Sequence, residues 1–141
     1  MSSGLSGPIL IVEDDGDIRE ALQAFLEMEG YEVLTARHGR EALQHLHRQP
    51  RPSLILLDMA LPVMDGHRVL AARKETDGLQ EVPAIILSAG MSAMNPRDRA
   101  LYAANYNVSA FLKKPADPKQ LVDLIERLAL RPAGDSASAP A

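Results

Sequence analysis

Five short apolar runs, separated by longer segments with helical spacing, constrain this chain more than any other feature. The runs are Ile9 to Val12, Tyr31 to Thr35, Leu54 to Leu57, Ala84 to Leu87 and Ala110 to Leu112. Three of them are almost wholly apolar, as strands covered by helices on both faces must be. Parallel neighbours need a long crossover, usually a helix, so the alternation predicts an α/β domain built on a parallel sheet.

The intervening segments carry helix signals. Ile18, Leu22, Phe25 and Leu26 repeat at helical spacing, with Asp15 as the expected N-cap and Gly30 as a left-handed stop. Ala42, Leu43 and Leu46 mark a shorter helix ended by the Pro50-Arg51-Pro52 turn, and Val69, Leu70 and Ala72 a third. Asn95 before Pro96, with Asp98 following, and Asp117 before Pro118, with Gln120 at the capping-box position, predict two later helix starts. The last of these helices presents Leu121, Leu124, Ile125 and Leu128 on one face.

Composition excludes several classes. At 141 residues the chain has the size of one soluble domain, able to bury about two thirds of its unfolded surface. The expected limits are a domain over residues 8–130, with disordered tails at 1–7 and 131–141. Cysteine is absent, which removes disulfides, thiolate metal sites and cysteine nucleophiles. Fifteen Lys and Arg against 19 Asp and Glu, scattered and with only 4% aromatics, argue against a nucleic-acid surface. No apolar run approaches the length of a membrane span and the first residues do not resemble an export signal, so a cytoplasmic location is expected.

In an open parallel sheet, ligands bind beyond the carboxyl ends of the strands, where strand order reverses. The first run leads into Glu13, Asp14 and Asp15, the third into Asp58, the fourth into Ser88, and the fifth into Lys113, Lys114 and Pro115. Carboxylates gathered there repel one another by about 4 kcal/mol per pair at ~4 Å and an effective dielectric near 20, so a positive group must sit among them. An all-oxygen donor set favours a hard cation such as Mg²⁺. Metal, carboxylate, hydroxyl and lysine together suit phosphoryl transfer: Asp58 attacks phosphorus, the metal holds one oxygen, Ser88 donates to another and Lys114 pairs with a third.

The ordered motifs Ile-Val-Glu-Asp-Asp, Leu-Ile-Leu-Leu-Asp58-Met-Ala-Leu-Pro62-Val-Met-Asp65-Gly66, Ile-Ile-Leu-Ser88-Ala and Phe111-Leu-Lys-Lys114-Pro115 make the chain resemble the receiver domain of two-component response regulators. The resemblance covers about residues 8 to 130. It implies a flavodoxin-like (βα)5 fold, with five parallel strands in the order 2-1-3-4-5 and five flanking helices. It also implies Mg²⁺-dependent phosphorylation by a histidine kinase or a histidine phosphotransfer protein, and a downstream protein target; a homodimer is left open. Carried over, Glu13 and Asp14 are the acidic pair, Asp58 the phospho-acceptor, Ser88 the switch hydroxyl and Lys114 the lysine. The backbone carbonyl of Ala60 would be a further metal ligand, and Phe111 matches an aromatic position coupled to the hydroxyl residue. As its ring has no hydroxyl, any readout there must rest on packing. The chain departs from the chemotaxis-type pattern in its longer stretch from Ser88 to Lys114, through Met91 to Met94, and in Asn107-Val108 before the last strand.

Each motif alone has a plainer reading. Asp15 caps a helix, Asp65-Gly66 is a turn and helix start, and the histidines His38, His45, His47 and His67 read as surface residues. Pro115 is a candidate cis proline. Two rival functions stand beside the receiver: a phosphorylation-independent docking module, and a Mg²⁺-dependent phosphohydrolase. The second lacks its general acid, because the position two past Asp58 is Ala60.

Overall fold

Each of the five apolar runs contributes a strand, the second only from Val33 onward. The chain folds as β1 (Ile9–Val12), α1 (Gly16–Met28), β2 (Val33–Ala36), α2 (Gly39–Leu46), β3 (Leu54–Asp58), α3 (Val63–Glu75), β4 (Ala84–Ser88), β5 (Ala110–Lys113) and α4 (Pro118–Ala129). The computed structural model describes residues 7–58, 63–88, 96, 97, 100, 104, 108–113 and 117–129, with the backbone alone for 58, 63–67, 88, 113 and 129. Pro96, Arg97, Ala100 and Ala104 are helical, within the segment where the Asn95 signal predicts a helix. The expected tails, apart from Gly7, and the Pro115 peptide bond lie outside the described residues.

The strands pair in parallel, in the order β2-β1-β3-β4-β5. Period-two alternation divides their side chains between two cores. Leu10, Val12, Ile55, Leu57 and Ile86 pack with Ala42 and Leu46 of α2 and Val69 and Leu70 of α3. Ile9, Ile11, Leu54, Leu56, Ile85 and Leu87 face the other way, against Leu26 of α1 and Leu121 and Ile125 of α4. Helices thus cover both faces, and burial of each large aliphatic side chain contributes roughly 1.5–3 kcal/mol.

Local rules account for the element ends. Asp15 is the N-cap of α1, its side chain accepting from the Ile18 N–H at 3.0 Å. At the other end Gly30 has φ 97°. Its N–H reaches Glu27 O at 3.0 Å, and the Tyr31 N–H reaches Leu26 O at 3.1 Å. That pair of bonds is a Schellman motif, sealed by contact of Tyr31 with Leu26 in the same core. It explains why β2 begins at Val33 and not at Tyr31: the tyrosine closes the helix before the chain can extend.

Two histidines depart from the surface reading. His38 is half-buried and caps α2, its Nδ1 accepting from the Glu41 N–H at 3.3 Å. His45, also half-buried, places Nε2 3.0 Å from Thr35 O of β2. Glu41 completes the cap by accepting from the Arg37 backbone N–H at 2.7 Å and from its guanidinium at 2.8 Å. The Arg37 side chain holds the Glu41 carboxyl down at about 2. α2 ends at Leu46, before the Pro50 turn that was expected to stop it.

Candidate functional site

Strand order reverses at β1: the chain passes from β1 to β2 on one side and returns to β3 on the other. The crevice beyond the carboxyl ends of β1 and β3 is therefore the place where this sheet can admit a ligand. Register brings the sequence-predicted residues to that edge. Val12 pairs with Leu57, so Glu13 and Asp58 are the next residues along two adjacent strands. Asp58 in turn pairs with Leu87, and Ser88 follows one residue on. With strands ~4.8 Å apart and ~3.3 Å of rise per residue, the Asp58 and Ser88 backbones lie about 6 Å from each other. Ser88 pairs with Lys113, the residue that Lys114 follows. Lys114 and Ala60 lie outside the described residues, as do the side chains of Asp58 and Ser88.

The three acidic residues after β1 take different places. Glu13 is anchored by its N–H to Ala36 O at 3.0 Å. Its side chain is only 1% exposed, with Oε2 accepting from the Asp15 N–H at 3.1 Å. A carboxylate so buried persists only beside hydrogen-bond donors or a cation. Asp15 turns to the helix as its cap. Asp14 between them is exposed. The reading of Asp15 as cap, apart from its two predecessors, matches this division.

One residue acting on the loop was not anticipated. Arg19, in the second turn of α1, folds back and donates from Nη1 to the carbonyl of Glu13 at 2.9 Å. A cation so near a helix N-terminus opposes the macrodipole. In the sequence, that misplaced charge five residues after Asp14 is the signal that could have identified it.

On the far side of the edge, Phe111 of β5 pairs with Ile86 and is half-buried against the core shared with α2 and α3. A second buried charge lies away from the edge. Arg73 of α3 is 1% exposed and donates to the carbonyl of Val82, tying the helix to the turn before β4. Burial presses its guanidinium below the usual range, and the charge of Glu81 opposes that shift.

Among the described residues no three His, Asp or Glu side chains form a metal cluster, a set that does not include the Asp58 side chain. The donors at the edge, Glu13 and Asp14 with Asp58 on the adjoining strand, are all oxygen, and that chemistry fits a hard divalent cation. Among the described residues no helix is long and apolar enough to cross a membrane.

Known proteins share this fold. The family model for the response regulator receiver domain matches residues 9–126. The transcriptional regulatory protein PrrA of Mycobacterium leprae is 37% identical over 139 residues, covering 98% of this chain and 56% of that protein. The chain therefore spans just over half of that relative's length. Among solved structures, the signal receiver domain of a signal transduction histidine kinase from Syntrophus aciditrophicus aligns with a TM-score of 0.74 at 34% identity, covering 89% of this chain and 91% of that one. The Mn(2+)-bound form of response regulator Rcp1 aligns with a TM-score of 0.65 at 30% identity, covering 86% and 91%. A doubly wound sheet in this order, acidic residues at its switch point and a family match over most of the length lead to one conclusion: the chain belongs to the response regulator receiver domains of two-component signalling, a signalling family and not one of metabolic enzymes.

Proposed function

We propose that the carboxylate of Asp58 accepts a phosphoryl group from a phosphohistidine on a histidine kinase or histidine phosphotransfer protein. The observation that carries this reading is the register: Val12 opposite Leu57 and Asp58 opposite Leu87 set Glu13, Asp58 and Ser88 on neighbouring strands at one edge. A carboxylate oxygen of Asp58 forms the new P–O bond as the P–N bond breaks. The departing imidazole keeps that electron pair and takes up a proton from solvent.

Glu13, Asp14, Asp58 and the Ala60 carbonyl would hold Mg²⁺, which when bound neutralises charge on the transferring oxygens. The divalent ion named for Rcp1 supports that class of metal. The Ser88 hydroxyl and the Lys114 ammonium would each take a further phosphoryl oxygen. The readout falls to Phe111, whose ring, half-buried beside Ile86, repacks as Ser88 moves toward the phosphoryl group and so alters the surface offered to a downstream protein. The working unit is residues 8–130, acting in the cytoplasm.

Incubation with acetyl phosphate and Mg²⁺, followed by intact-mass measurement, should add one phosphoryl group to the wild type and none to Asp58→Ala. Equal labelling of the two proteins would remove Asp58 from its role.

A further inference from the structure

We infer that Arg19 is the positioning residue of the acidic loop: through the Glu13 carbonyl it sets where the Glu13 and Asp14 carboxylates stand, and so how tightly the edge binds a divalent cation. The inference rests on the reading of Glu13 and Asp14 as metal-binding carboxylates.

One hydrogen bond ties the guanidinium to the loop, and the group also occupies the space beside Gly16. Nη1 donates to Glu13 O at 2.9 Å, and Nη2 lies 3.6 Å from where a Cβ on Gly16 would stand. One planar group thus reaches the first residue of the loop and lies over the residue that opens α1. The remaining bonds close the loop from other sides. The Glu13 N–H is on Ala36 O, the Asp15 N–H on Glu13 Oε2, the Ile18 N–H on Asp15 Oδ1 and the Arg19 N–H on Asp15 O. The guanidinium bond is made to the Glu13 carbonyl itself.

The peptide that carries this carbonyl also carries the N–H of Asp14. Displacement of this peptide shifts the backbone from which Asp14 projects and loosens the loop that the Glu13 carboxylate closes, so a donor locking it acts on the ligand geometry. Arginine suits the task because its charge is permanent and its fork rigid, and because it offers donors alone and cannot itself ligate a cation. Its charge also opposes a nearby divalent ion. Positioning and charge therefore predict opposite outcomes on removal: loss of positioning weakens metal binding, whereas loss of charge alone strengthens it.

The test uses the full chain and Mn²⁺ as probe, read by water-proton relaxation, with the melting temperature in EDTA measured in parallel. Arg19→Met removes bond and charge; Arg19→Lys keeps the charge and loses the fork. Both variants should bind Mn²⁺ at least fivefold more weakly than wild type, while melting in EDTA within a few degrees of it. Unchanged or tighter binding by Arg19→Met would overturn the inference and make the guanidinium a mere counter-charge. Should Arg19→Met fail to fold, wild-type affinity in Arg19→Lys would overturn it instead. If wild type binds no Mn²⁺, or Asp14→Asn binds it as well as wild type does, the metal-binding reading itself fails and takes the inference with it.

Discussion

Replacing Asp14 by Asn should change the stability of the domain in opposite directions with and without metal. The Asp14 side chain is exposed, and the bonds that close its loop run through Glu13, Asp15, Ile18 and Arg19. The substitution therefore breaks none of them and removes only a negative charge from beside two others. In EDTA, relief of that repulsion in a solvated, salt-screened setting is worth a few tenths of a kcal/mol, so the variant should melt at or slightly above wild type. With Mg²⁺ at ten times the wild-type dissociation constant, linkage stabilises wild type by about 1.4 kcal/mol. For a chain of 141 residues the unfolding entropy is about 0.3 kcal/mol/K, which converts that gain to a rise of about 5 °C. Asp14→Asn should rise by less than about 1 °C, so the two melting curves exchange order between buffers. Differential scanning fluorimetry or calorimetry reads this directly. Equal Mg²⁺ shifts in both proteins, or a large loss in EDTA, would show that Asp14 serves the fold and not the ion.

Two further outcomes test the packing and the caps. Leu57 is fully buried in the central strand, between Val12 and Ile86 and directly before Asp58, so Leu57→Ala should cost about 3–4 kcal/mol in urea unfolding. The half-buried edge residue Leu34 should cost roughly half as much when treated in the same way, and an inverted order would contradict the layering. The Glu41 carboxyl sits at about 2 in the fold, below its ordinary 4.5, chiefly through the hydrogen bond from the Arg37 side chain. A depressed carboxyl stabilises above its unfolded value and loses that contribution as pH falls through the folded one. Because Arg37 is 65% exposed, solvent screens the pair and Arg37→Ala should destabilise only slightly at pH 7, with the gap closing between about pH 4.5 and 2. A gap that stays constant across that range would place the effect elsewhere.

What could be read from the sequence follows physical type. Strands β1, β3 and β4 were legible because residues covered on both faces leave uninterrupted apolar runs, with only their last residues, Asp58 and Ser88, falling to the edge. Asp15 was legible as a cap because its short carboxylate reaches the N3 amide without help. His38 was not, because an imidazole accepts such a bond only when Nδ1 is unprotonated and suitably turned, which no spacing rule encodes. Arg73 was hidden for a different reason: an arginine in a helix reads as solvated until the carbonyl it must satisfy, that of Val82, is placed over it by the turn before β4. Arg19 differs from Arg73 in leaving a signal, a cation near a helix N-terminus, but its partner is visible only once the loop exists.

The neighbours of β1 in the sheet are not the next strand alone but also β3, which arrives only after β2 and α2 have been made. Glu13 and Asp58 are therefore distant along the chain and become neighbours only when β3 adds to the side of β1 opposite β2. Chemistry at this rim thus requires β3 to be seated against β1, so a chain in which that single pairing fails loses the crevice along with it.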